Sequence, residues 1–179
     1  MDITIDVENY KLNIRAACAI IHDNKILLHK NANSDHYAII GGRVEIGEDS
    51  ESTVMREIKE EIGKDIKTTG YIATIENFFE MKEKEYHEIL FIHKAEFVDE
   101  EDKKIVTTLK NMEGKDYLQY EWIDLDEIDK VNLLPANLKD ILKKGKFPVH
   151  EINDERRTKW KLFLLNTQNV QHVKKLRNG

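Results

Sequence analysis

The sequence predicts one mixed α/β domain, and three observations carry the prediction. Strand-like runs interleave with two helical patterns, no repeat or low-complexity linker interrupts them, and 179 residues is near the upper range of a single domain. A composition of 40% hydrophobic and 35% charged residues with two prolines leaves enough apolar surface to offset the entropy of ordering. Residues 1–150 are read as the domain. Residues 151–179 form a C-terminal extension, packed on that domain or placed at a dimer interface.

Leu12 to His22 is apolar, Asp23-Asn24 punctuates it, and Lys25 to His29 resumes it, which predicts a β-hairpin. Tyr37 to Ile40 reads as a strand that stops at Gly41-Gly42, where the chain leaves the sheet. From Ser50 to Ile62 the apolar residues Val54, Ile58 and Ile62 recur every four positions, flanked by Met55. This is an amphipathic helix closed by Gly63. Tyr71 to Phe79 and Tyr86 to Phe97 form a second hairpin across the charged stretch Met81 to Glu85. Residues 99–116 read as a charged loop or short edge element, Tyr117 to Ile123 as a strand, and Ala136 to Lys144 as a helix with Pro135 at its first position. Lys159 to Leu165 fits either strand or helix.

A formal charge of -6, from 28 Lys+Arg against 34 Asp+Glu, argues against a protein that coats a nucleic acid polymer. The single cysteine, Cys18, excludes an intramolecular disulfide and disfavours a cysteine zinc site. The longest wholly apolar run, Ala16 to Ile21, is far short of the ~20 residues of a membrane helix, and Met1-Asp2-Ile3 has no basic leader. The expectation is a cytoplasmic protein with no membrane partner.

One passage concentrates the chemistry: Gly42, then Glu48, then Arg56-Glu57-Ile58-Lys59-Glu60-Glu61-Ile62-Gly63. On a helix, Glu60 lies roughly -60° and Glu61 roughly +40° from Glu57, beside the stripe of Val54, Ile58 and Ile62. Three carboxylates on one arc repel each other and raise their own pKa values unless a cation neutralises them. Hard oxygen donors suit Mg²⁺ or Mn²⁺. Gly41-Gly42 lets main-chain atoms approach the same ion or a diphosphate. A solvated glutamate face is the bland reading, but seven fixed residue types at set positions match by chance on the order of once in 10⁸ to 10⁹ starts.

Gly42 to Lys64 resembles the Nudix box of the MutT/Nudix hydrolases, a Gly, Glu, Arg-Glu-aliphatic-x-Glu-Glu-x-Gly signature. Glu45 and Gly47 fit its loop, whereas Lys64 replaces the usual closing aliphatic residue and Ile40 a frequent proline. The resemblance implies a Nudix-type α/β/α sandwich around a mixed sheet. It also implies Mg²⁺- or Mn²⁺-dependent attack of water on the diphosphate of a small nucleoside diphosphate derivative, such as a nucleoside triphosphate or ADP-ribose. On it, Glu57, Glu60, Glu61 and the Gly41 carbonyl bind metal, with Glu48 an outer ligand or partner of Arg56. Arg56 would hold the carboxylates in place.

For the general base, Glu60 or Glu61 comes first, then Glu88 pointing from its strand toward the helix, or a carboxylate of Asp99 to Asp102. His87 reads as a strand residue bonded to backbone. Arg15 and Arg43 are candidate phosphate contacts, and Tyr37 and Phe79 candidate stacking surfaces, with one ring of Phe78-Phe79 inward and one outward. The other class of reading is a non-catalytic module that binds a nucleotide or a protein. Either a monomer or a homodimer fits the sequence.

Overall fold

The computed structural model describes residues 1–102, 114 and 117–155. Strands β1 (Thr4–Val7), β2 (Tyr10–His22), β3 (Lys25–Asn31), β4 (His36–Ala38) and β5 (Ile40–Arg43) precede helix α1 (Ser50–Ile62). Strands β6 (Ile66–Met81), β7 (Lys84–Phe97) and β8 (Leu118–Asp124), a 3₁₀ helix (Leu125–Lys130), β9 (Asn132–Leu133), α2 (Leu138–Lys144) and β10 (Val149–Asp154) follow. The sheet runs β10-β6-β7-β2-β3-β4-β9, with β1 and β5 also on β2 and β8 on β3. It is mixed: β10 with β6, β2 with β7, and β4 with β9 are parallel pairs, and the others are antiparallel.

β2 is buried on both faces, so its apolar run is continuous rather than alternating. Ala16, Cys18 and Ile20 pack with Val54, Ile58 and Ile62 of α1. Ala17 and Ala19 join the opposite core, where Ile128 of the 3₁₀ helix and Leu138 and Ile141 of α2 close the other side. The expected two-sided arrangement of helices around a mixed sheet follows from this partition.

The first hairpin turns on Asp23 and Asn24, both left-handed at φ 48° and 60°, but only two residue pairs join β2 to β3 before the strands diverge. β3 then pairs with β8 from Lys25 to Asn31. The second hairpin is tighter than the five-residue connection expected. Lys82 and Glu83, with φ of 50° and 64°, make a two-residue turn, and Met81 pairs with Lys84.

Three local expectations need correction. Tyr37 to Ile40 is two strands, because Ile39 and Ile40 point into opposite cores and the chain crosses from β3 to β2 between them. Gly41-Gly42 lies inside β5 and does not end it. A Cβ on Gly41 would sit 2.2 Å from the Ala16 carbonyl oxygen, so glycine is what lets β5 lie against β2. Pro135 stands ahead of α2 and its carbonyl accepts the Leu138 N–H at 3.0 Å, while Asn137 holds the N-cap position.

β10 crosses the expected boundary at residue 150, pairing Val149–Asp154 in parallel with Ala73–Phe78 of β6. The remaining extension and most of the 99–116 loop lie outside the described residues.

Candidate active site

Asp49 starts α1 by accepting the Ser52 N–H at 2.8 Å, and Gly63 ends it in the left-handed region at φ 71°, donating its N–H to the Lys59 carbonyl. Between these caps the buried stripe fixes the helix rotation, and that rotation turns Glu57 onto β5. A Cβ on Gly42 would lie 2.1 to 2.3 Å from the Glu57 carboxyl atoms. The carboxylate therefore rests on bare backbone. Burial pushes the Glu57 carboxyl above the usual range, against the opposing pull of Arg56.

Arg56 gathers the acids. Its Nε and Nη2 each donate to Glu48 at 2.9 Å, and its Nη1 donates to Glu57 at 2.8 Å and Glu60 at 3.0 Å. Nη2 also reaches the Arg43 carbonyl at 3.1 Å. Glu48 further accepts from Thr53 Oγ1 at 2.9 Å and from the Glu45 N–H at 3.2 Å. The Arg56 guanidinium, aided by Thr53 and that amide, holds the Glu48 carboxyl down to about 2. Glu48 is thus a partner of Arg56, with three protein donors on Oε2 and one on Oε1.

Glu61 departs from the other two helix carboxylates. It is buried, accepts from the Tyr120 hydroxyl at 3.3 Å, and lies 3.9 Å from His29 Nδ1. The arc read from helical angles is therefore divided, with Glu57 and Glu60 closed on Arg56 and Glu61 turned toward β3 and β8. Among the described residues no group of three or more His, Cys, Asp or Glu side chains is placed to hold a metal ion. The donors fit a hard cation in kind, since they are carboxylate and carbonyl oxygens, and a nearby cation would oppose the burial that raises the Glu57 carboxyl.

The strand candidates fall elsewhere. Glu88 is buried, but its side chain meets Asn77 Nδ2 at 3.3 Å and Arg15 Nη1 at 3.8 Å, not α1. It shares strand parity with Leu90 and Ile92, which belong to the α2-side core, so alternation turns it from the helix. Arg15 Nη2 donates to the Gly41 carbonyl at 2.9 Å. Arg43 pairs with Asp2 at 2.8 Å. The Tyr37 hydroxyl donates to Glu121 at 2.8 Å and accepts from Lys30 at 2.9 Å.

Phe79 stacks on Tyr86 with centroids 4.8 Å apart, and Phe78 on His87 at 4.3 Å. Both phenylalanines are half-buried, because this end of the hairpin lies beyond the core. Among the described residues His87 Nε2 has no hydrogen-bond partner, and it lies 4.0 Å from Glu76 Oε2. Asp102 is engaged by Lys64. Sequence reasoning missed Thr53, Asn77 and Tyr120. A polar residue at an inward position of an apolar strand, as Asn77 is beside Ile75, was the available signal.

Relatives share this architecture. A Nudix hydrolase from Nitrosomonas europaea superposes with a TM-score of 0.57 at 19% identity, covering 79% of each chain. A MutT protein from Methanosarcina mazei Go1 does so with a TM-score of 0.54 at 23% identity, covering 78% of this chain and 95% of that one. The ADP-ribose pyrophosphatase of Methanocaldococcus jannaschii is 46% identical over 65 residues, 32% of this chain and 38% of that protein. The NAD-capped RNA hydrolase NudC of Vibrio atlanticus is 41% identical over 58 residues, 31% of this chain and 22% of that protein. The chain therefore spans well under half the length of either curated relative. The profile of the NUDIX domain matches residues 12–144, and the chain belongs to the Nudix family.

Proposed function

We propose that this protein is a divalent-metal-dependent hydrolase that cleaves the diphosphate linkage of a small nucleoside diphosphate derivative by attack of water on phosphorus. The observation that carries the reading is Glu57: a half-buried carboxyl with a raised pKa, resting on Gly42 and held in place by Arg56.

Glu57, Glu60 and the Gly41 carbonyl, joined by Glu61 on turning from Tyr120, would hold Mg²⁺ or Mn²⁺, which when bound polarises the diphosphate and lowers the pKa of water. Arg56 orients Glu57 and Glu60, and Glu48 fixes Arg56, so the helix carboxylates are positioned before substrate arrives. Glu60 is the better placed of the two first-choice bases, because it is half exposed while Glu61 is buried against Tyr120. Glu88 enters this reading as the counter-ion of Arg15. Arg43, beside the Gly pair, would meet phosphate by exchanging Asp2 for it, and the stacked Phe79 and Tyr86 offer a flat surface to a base.

The name of the Methanocaldococcus relative favours ADP-ribose over nucleoside triphosphates as the first substrate to try. The test is a screen of ADP-ribose, dinucleoside diphosphates and nucleoside triphosphates with Mg²⁺, Mn²⁺ or chelator, with products identified by mass. The expected result is AMP and ribose phosphate, abolished by chelator. Pyrophosphate and a monophosphate would move the substrate class to triphosphates. Hydrolysis that persists in chelator would contradict the mechanism, and nucleotide binding without turnover would establish the non-catalytic module.

A further inference from the structure

A row of polar side chains crosses four strands and ends on the Gly pair. Asn153 of β10 donates from Nδ2 to Asn77 Oδ1 of β6 at 2.7 Å. Asn77 donates from Nδ2 to Glu88 Oε1 of β7 at 3.3 Å. Glu88 Oε2 lies 3.8 Å from Arg15 Nη1 of β2, and Arg15 Nη2 donates to the Gly41 carbonyl of β5 at 2.9 Å. Asn77 and Glu88 are buried. The register pairs Asn153 with Asn77 and Asn77 with Glu88, while Glu88 pairs with Asn13 of β2, so Arg15, two residues on, meets Glu88 on the diagonal.

We propose that Asn153, Asn77, Glu88 and Arg15 act as a positioning relay that sets the direction of the Gly41 carbonyl, and so couples the C-terminal strand to the active site. Every donor in the row points toward Glu88 or Gly41, and Asn153 and Asn77 polarise one another toward the single buried carboxylate. The Arg15–Glu88 pair, 3.8 Å apart and exposed on the arginine side, adds little to stability, so what this row supplies is geometry. β5 is then held from both faces. Gly42 carries Glu57 on the α1 side, while Arg15 fixes the Gly41 carbonyl from the strands beside it. The row also explains how a residue past position 150 can matter to the site: Asn153 is three side chains from Gly41.

The effect on turnover rests on the hydrolase reading above, but the relay itself does not, and the experiment separates them. Segment-resolved hydrogen exchange of the full chain is measured over Ile40–Val44 and over α2, in the wild type, Asn153→Ala, Glu88→Gln and the double variant. Exchange over Ile40–Val44 is expected to rise about threefold in Asn153→Ala with α2 unchanged. The double variant should exchange no faster than Glu88→Gln alone, because both break one chain of contacts. In parallel, kcat for the best nucleotide of the screen should fall about tenfold in Asn153→Ala at unchanged KM.

Unchanged exchange over Ile40–Val44 in Asn153→Ala overturns the relay, and so do additive effects in the double variant. Should Glu88→Gln fail to fold, Arg15→Met takes its place in the same cycle, with the same outcomes decisive. A protein whose exchange responds as expected but which hydrolyses nothing would keep the relay and overturn the hydrolase.

Discussion

The loop before α1 and the exposed flank of α1 meet the same guanidinium and come away with opposite properties. Glu48, from the loop, takes two bonds from Arg56 plus Thr53 and a backbone amide, and its carboxyl is held down to about 2. Glu57, from the helix, takes one bond from Arg56, and burial against Gly42 drives its carboxyl up. The difference teaches what each carboxylate is for. On the proposed mechanism Glu48, with four protein donors, braces Arg56, whereas the desolvated Glu57 is the carboxylate offered to an incoming cation.

Breaking the helix side should have the largest effect. Glu57→Gln or Glu61→Gln is expected to lower turnover at least ~100-fold, because each removes a charged oxygen donor while keeping side-chain shape. The thermal midpoint should stay within a few degrees, which a melting curve beside the kinetic assay checks. Equal turnover in either variant would put the chemistry elsewhere.

The glycine under Glu57 gives a subtler way to disturb the same side. Gly42→Ala places a methyl group where the Glu57 carboxyl now sits, 2.1 Å away by ideal geometry. The contact is with the far end of a flexible side chain, so Glu57 swings away and the strand survives. Turnover is expected to fall roughly tenfold, as outer positioning contacts commonly do when lost. The apparent affinity for Mn²⁺, followed by titration, should weaken with it.

How much of this was legible in the sequence depends on the range of the forces involved. α1 is legible to the residue, because its stripe of Val54, Ile58 and Ile62 and the closing Gly63 are local signals. The contacts of Arg56 with Glu48 and Glu60 were legible too, since a helix repeat and a short loop set them. The continuation of β5 through Gly41-Gly42 is not legible, because a glycine that ends a strand and one that lets two strands touch look alike in one dimension. The turn of Glu61 away from Glu57 depends on Tyr120, far along the chain. The same holds for Glu88, whose partners Asn77 and Arg15 come from two other strands.

The brace itself should affect stability more than chemistry, and pH separates the two. The folded pKa of Glu48, about 2, is below its ordinary value near 4.5, so between those values the unfolded chain binds more protons than the folded one. Its stabilisation is therefore complete above about pH 5 and is lost as pH falls toward 2. Glu48→Gln is expected to cost roughly 1.5 to 3 kcal/mol at pH 7, the range for hydrogen bonds to charged groups. Urea unfolding of both proteins at pH 7 and pH 3 measures the gap, which should narrow at the lower pH. A gap independent of pH would mean that Glu48 acts through shape rather than charge.

The smallest effect is expected far from both sides, and it supplies the control that acidity alone decides nothing. Asp129 pairs with Lys143 at 2.6 Å, a shorter contact than any Arg56 makes, yet both side chains are about half exposed. Water and salt screen such a pair, and holding the lysine in place costs side-chain entropy, so exposed pairs are worth about 0 to 1 kcal/mol. Asp129→Asn should accordingly leave the urea unfolding midpoint and turnover unchanged. A lowered midpoint would show that the 3₁₀ helix and α2 depend on this ion pair, and that short distance rather than burial separates the effective carboxylates of this protein from the rest.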